Sequence, residues 1–214
     1  MYTDNDFTAD NSALYWADMG ESNQGWTGFT WYRASDKLAD HSLFGSDGVT
    51  AEDVRQGAIG NCWFLSAIAA LSEEPGRIES VFVEDEANAN GIYAVNFYTL
   101  GVPHTIIIDD YLPLREVWNN DIRAYEWNSV FSKVGLDDST WAPLLEKAFA
   151  KYHGNYGHTV GGDSRRAART LSGGPYDTHA HSDHTADSLW VLIESKDNAK
   201  DMIQVNTAGN NNNY

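Results

Sequence analysis

Between residues 62 and 72 (CWFLSAIAALS) nearly every position is apolar or small. A helix apolar on all sides belongs in the middle of a core, so the pattern predicts a central helix opening at Cys62. Residues 141–152 (WAPLLEKAFAKY) behave differently. Trp141, Leu144, Leu145, Ala148 and Phe149 share one helical face, which predicts an amphipathic helix. Residues 91–99 (GIYAVNFYT) and 103–109 (PHTIIID) are β-rich, and the short break between them predicts a hairpin. Pro113 cannot donate to a central ladder and is expected to end the second strand, leaving 115–138 as a surface excursion. A further helix is expected near 189–194 and a strand near 202–205, with the asparagine run 210–213 as a loop.

Residues 1–45 are polar, rich in Asp, Ser and Gly, and carry tryptophans at 16, 26 and 31. They read as an irregular segment pinned by aromatic anchors. Residues 50–53 (TAED) have the form of a helix N-cap with an acid three residues on. The glycine pairs 161–162 and 173–174 are loop or close-approach elements. No repeat of fixed period is present.

The chain has 214 residues, enough for one large domain or two small lobes. Its formal charge of −17 argues against nucleic-acid binding, which needs a basic face. One cysteine rules out an internal disulfide. The N-terminus lacks a basic n-region and an apolar h-region, and no apolar run reaches the ~18 residues of a membrane span. A reducing, cytoplasmic compartment is the expectation.

The lone thiol, Cys62, has two readings: a small buried hydrophobe or a nucleophile. Three local features favour the second. Cys62 falls in the first helical turn, where unpaired amides and the macrodipole favour a thiolate. Gly57 and Gly60 let the preceding backbone approach a substrate. Gln56, six residues earlier, can fold back as an oxyanion-hole donor.

QGAIGNCWFLSAIAALS (56–72) resembles the nucleophile motif of the calpain family of cysteine proteases, which share the papain-like arrangement. WYRASD (31–36), IIIDDYLPL (106–114), WAPLLEKAFAKYHGNY (141–156) and the glycine pairs resemble family segments in the same order, over roughly residues 25–205. The resemblance implies an α+β, papain-like fold: a helical first lobe (25–160) with a central Cys-bearing helix and a small β-hairpin. An acidic segment (1–24) would precede it, and the incomplete start of a second lobe (161–214) would follow. It implies Cys62 as nucleophile, Gln56 as oxyanion-hole donor, Trp63 as a wedge between lobes, and Gly162, with Gly161 beside it, as backbone partners of an extended protein substrate. It also implies a calcium ion held by the carbonyls of Ser46 and Gly48 and by Asp53. The family's second acid falls at Ser139, with Asp137 and Asp138 beside it, of which Asp138 is assigned.

A cysteine protease also needs a base and a residue to orient it. In papain-like enzymes these lie ~130–150 residues after the cysteine, and no histidine follows His184. The family's His-Ala-Tyr and Asn-Pro-Trp-Gly motifs would fall past Tyr214. The expectation is therefore the nucleophile half of a calpain-like endopeptidase, inactive alone, with a second lobe or larger assembly completing the cleft. The alternative is a non-catalytic calpain-like interaction module. His41, His104, His153 and His158 are scattered and read as surface or turn residues. His179, His181 and His184 match a zinc motif of metallo-β-lactamase-fold hydrolases, but they lack that fold's lead-in strand and downstream ligands.

Overall fold

The computed structural model describes residues 1–38, 41–84, 86–120 and 122–206. Among these, five strands form two small antiparallel sheets, accompanied by five α-helices. The architecture is mixed α+β, the class that the sequence resemblance implies. No helix among the described residues is long and apolar enough to cross a membrane.

One sheet is a hairpin of β2 (Ile92–Thr99) and β3 (Val102–Asp109), paired from Thr99↔Val102 to Ile92↔Asp109. Leu100 and Gly101, both at positive φ, make its turn. The other sheet has the order β1–β4–β5: Thr30–Arg33, Tyr111–Asn119 and Ala124–Ser129. This sheet corrects the reading of residues 112–138. Pro113 lies inside β4 opposite Trp31, and the β5 register begins one residue later, at Leu114↔Ser129. The proline thus sits before β5 demands a donor, and its carbonyl accepts from Val130 N–H at 2.8 Å. Residues 130–134 then turn inward, with Val130, Phe131, Ser132 and Val134 buried.

Helix α1 (Ala34–Lys37) is a single turn, and α2 (Cys62–Leu71) is the central helix the pattern predicts. Its burial is interrupted at Cys62 and Ser66, which face solvent. Helix α3 (Trp141–His153) is buried continuously from Trp141 to Ala150 rather than along one stripe. Its two central charges, Glu146 and Lys147, have internal partners in place of water, which an amphipathic reading does not provide for. Phe149 stacks on Phe64 of α2 with centroids 3.9 Å apart, locking the two helices together.

Helix α4 (Ser164–Ser172) lies between the glycine pairs, buries Ala167, Ala168 and Leu171, and ends at Gly173 in the left-handed conformation. Helix α5 (Ala186–Asn198) opens with a Thr185–Ser188 capping box and has no buried residue. Residues 202–205 form no strand. The asparagine run 210–213 lies outside the described residues.

The N-terminal segment is strapped to the core. Asp4 is buried, donates its N–H to Asp109 Oδ2 (2.8 Å), and its carboxylate pairs with Lys151 at 2.7 Å. A second apolar cluster of Phe7, Leu14, Trp26, Ile59, Val130, Phe131, Ala150 and Tyr156 holds this segment against the loop that leads into α2.

Candidate active site

Cys62 is the first residue of α2 and is exposed. Its exposure removes the buried-hydrophobe reading. The loop before it, 56–61, is fixed by backbone rather than by a regular element. Ala58 N–H donates to Val130 O at 2.9 Å, and Trp26 Nε1–H donates to Ala58 O at 3.1 Å. A methyl group at position 57 would overlap the carbonyl oxygens of Val130 and Phe131. Gly57 is therefore needed for the loop to meet residues 130–131. The Gln56 side chain turns onto its own loop, its Nε2–H donating to Ile59 O at 2.7 Å. One N–H of that amide then remains for another acceptor.

The glycine pair 161–162 is brought to this loop. Gly161 N–H donates to Gly60 O at 2.9 Å, with Gly161 at φ +69°. At Gly162 an added methyl would overlap the Trp63 indole, within 2.6 Å of Cζ2. Trp63 is held in that place by Nε1–H donation to Thr159 O (2.7 Å) and by edge contacts with Phe149 and His153. Gln56, Cys62, Trp63, Gly161 and Gly162 thus converge on the N-terminal end of α2.

Two further residues belong to this neighbourhood. Asn61, the N-cap of α2, and Glu146 of α3 are both buried, and Asn61 Nδ2–H donates to Glu146 Oε1 at 2.6 Å. Burial pushes the Glu146 carboxyl up to about 7, against the opposing pull of its bonds to Asn61 and Ser132 and of the Lys133 charge. Asn61 was visible as a cap type next to the thiol; nothing in the periodicity of 141–152 marks Glu146.

The histidines have other partners. His153 is half-buried, its Nδ1 lies 3.0 Å from Phe149 O, and burial pushes its pKa down. His158 lies 2.6 Å from Glu21, whose carboxylate pushes its pKa up. Among the described residues no histidine is hydrogen-bonded to Cys62 and no cluster of three or more His, Cys, Asp or Glu side chains forms a metal site. His179 and His184 lie ring to ring at 5.4 Å on an exposed stretch.

Around the residues assigned to calcium, Asp53 is buried, closes a capping box with Thr50, and accepts from Trp141 Nε1–H at 3.1 Å. Its Oδ1 and Asp137 Oδ1 both border the space beside Gly135, where a methyl would lie 2.7 and 2.9 Å from them. Ser139 Oγ points into the same place and is buried without a partner. Gly45 at φ +77° lets the 45–48 loop close on Asp137, whose Oδ2 accepts from Asp47 N–H at 3.3 Å. Asp138 instead has positive φ, and its carbonyl accepts from Ser42 N–H. Asp53, Asp137 and Ser139 thus bring side-chain oxygens, the donor type a hard cation takes, to one space beside Gly135.

A family model described as calpain family cysteine protease matches residues 2–213. The chain is 33% identical over 178 residues to the calpain-type cysteine protease ADL1 of Oryza sativa subsp. japonica, which covers 81% of this chain and 8% of that protein. It is 31% identical over 177 residues to Calpain-8 of Rattus norvegicus, covering 81% of this chain and 24% of the relative. Calpain-B of Drosophila melanogaster is 30% identical, with 81% and 17% covered. The chain thus spans less than a quarter of the length of these relatives.

Proposed function

The chain belongs to the calpain family of cysteine proteases, and from that premise we propose that Cys62 is the nucleophile of a thiol endopeptidase acting on protein substrates bound in extended form. The observation that carries this reading is the exposed Cys62 at the start of α2, flanked by the Gly60–Gly161 bond and the Trp63–Gly162 contact. The Cys62 and Trp63 amides lie in the first turn of α2, where N–H groups lack an acceptor four residues back, so they stabilise negative charge at that point.

In the proposed step the Cys62 sulfur attacks the scissile carbonyl and its proton passes to a general base. The developing oxyanion takes the remaining Gln56 N–H and a first-turn amide. Collapse expels the amine, which leaves with that proton, and water releases the acid from the thioester. The backbone at 161–162 pairs with the substrate chain beside the scissile bond. The base and its orienting residue are proposed to come from outside these 214 residues, because His153 and His158 are engaged elsewhere. Residues 1–214 alone would then not hydrolyse peptides.

A peptidyl epoxide that reacts only with an activated, accessible thiol tests the nucleophile. Labelling of Cys62 in the folded chain, lost in Cys62→Ser, is expected. A folded chain whose thiol stays inert would favour the non-catalytic interaction module.

A further inference from the structure

Asn61 stands at the N-cap of α2, where asparagine ordinarily turns its side-chain oxygen onto the amide of the second or third helical residue. It does not do so here. Its side chain makes no cap hydrogen bond, and the buried Oδ1 has no partner at all. The amide is turned the other way, Nδ2–H donating to Glu146 Oε1 at 2.6 Å, while Glu146 Oε2 accepts Ser132 N–H at 2.8 Å.

We propose that Glu146 is a positioning residue for Cys62: its carboxylate holds the Asn61 side chain away from the helix terminus and ties it to Ser132. The amides of Cys62 and Trp63 are then left uncapped, while Phe64 N–H donates to Asn61 O at 2.9 Å. This deepens the functional reading above and rests on Cys62 being the nucleophile. An uncapped terminus keeps its N–H groups and partial positive charge for a thiolate or oxyanion, whereas a capped one spends them on Asn61.

The link is also titratable, because burial places the Glu146 carboxyl at about 7. A protonated carboxyl offers one acceptor oxygen fewer to the two donors that share it. The other titratable groups facing it are Lys133, whose charge opposes the upward push, and the buried Tyr156, whose phenol is pushed well up by burial and then by Glu146. Lys133 is itself pushed down by burial and by Arg115 and Arg55, and donates Nζ–H to Ser129 O at 2.7 Å.

The test is the rate of Cys62 alkylation by iodoacetamide on the 214-residue chain from pH 5 to 9, with circular dichroism to verify folding. The wild-type profile should carry a step near pH 7 in addition to ionisation of the thiol. Glu146→Gln should remove that step and lower the rate at pH 8 at least about threefold, as Asn61 swings onto the helix. Asn61→Ala, which has no side chain to cap with, should also lose the step while keeping the wild-type rate at pH 8. The double variant should match Asn61→Ala. A folded Glu146→Gln with the wild-type rate and profile overturns the proposal. If that variant does not fold, a wild-type profile without the step, or a step that survives in Asn61→Ala, overturns it as well. A thiol inert at every pH would sink the nucleophile reading and this inference together; a reactive thiol indifferent to Glu146 sinks this one alone.

Discussion

The Trp63 indole occupies the space that any side chain at position 162 would need: a methyl there would lie within 2.6 Å of Cζ2. The wedge tryptophan and the substrate-pairing glycine implied by family resemblance are therefore a single packing unit. Gly162→Ala must move either the ring or the 159–162 turn, and both are tied by the Trp63 Nε1–Thr159 bond. The expected cost is about 1–3 kcal/mol, the range for overpacking a filled site. A lower thermal midpoint and altered tryptophan emission should report it, along with slower labelling of Cys62 by a peptidyl electrophile. An alanine variant identical to wild type in all three would mean that the ring does not fill this space.

His158 and Glu21 make the N-terminal strap sensitive to pH. Their side chains lie 2.6 Å apart, and Trp16 packs edge-on against the His158 ring with centroids 5.0 Å apart. The bond to Glu21 is the main cause raising the His158 pKa above its ordinary value, so its contribution is full below ~6.5 and fades as pH rises through the folded value. Glu21 is lowered, first by the Trp16 N–H and then by His158, so its contribution is full above its ordinary value and fades as pH falls through the folded one. The strap should be tightest between roughly pH 5 and 6.5. Trp16 fluorescence should therefore be flat inside this window in the wild type and change on either side of it, as His158 deprotonates above and Glu21 protonates below. His158→Gln should flatten the response; an unchanged curve would show that another group is sensed.

Lys147 is a buried cation fully committed to one corner. Its Nζ donates to the Asp109 carboxylate, to Asp109 O at 3.0 Å and to Tyr111 O at 2.8 Å. Lys147→Met leaves Asp109 buried without its partner, a loss of about 3–5 kcal/mol. Adding Asp109→Asn removes the stranded charge and should recover more than half of that loss. Urea unfolding of the two variants decides the matter: equal destabilisation would mean that the pair is not what holds this corner.

The elements legible in the sequence were those whose pattern is local. The apolar run of α2, the β2–β3 hairpin and the cap at Thr50 all follow from neighbouring residues, and each is present. What the pattern missed depends on partners far along the chain. Pro113 is compatible with β4 only because β5 pairs from the next residue. Glu146 and Lys147 sit in a buried helix only because Asn61, Ser132 and Asp109 meet them there. The site shows the same division. Cys62 and Gln56 were recognisable from one loop, whereas the approach of Gly162 to Trp63 spans 99 positions of chain.

The calcium proposal turns on which acid joins Asp53. Family spacing points to the vicinity of Ser139, and Asp138 was the residue assigned. The acid that shares the space beside Gly135 with Asp53 is Asp137, with the unpartnered Ser139 Oγ beside it. Calcium there would bridge the two carboxylates and tie the 45–48 loop, through the carbonyls of Ser46 and Gly48, to the start of α3. A ligand at ten times its Kd stabilises by about 1.4 kcal/mol, which for a chain of this size is a rise of roughly 3–6 °C. That shift is expected in the wild type on adding calcium and should vanish in Asp53→Asn and in Asp137→Asn. Asp138→Asn should retain it. A shift lost only in the Asp138 variant would return the ligand to the sequence assignment, and no shift in the wild type would remove the ion from this lobe.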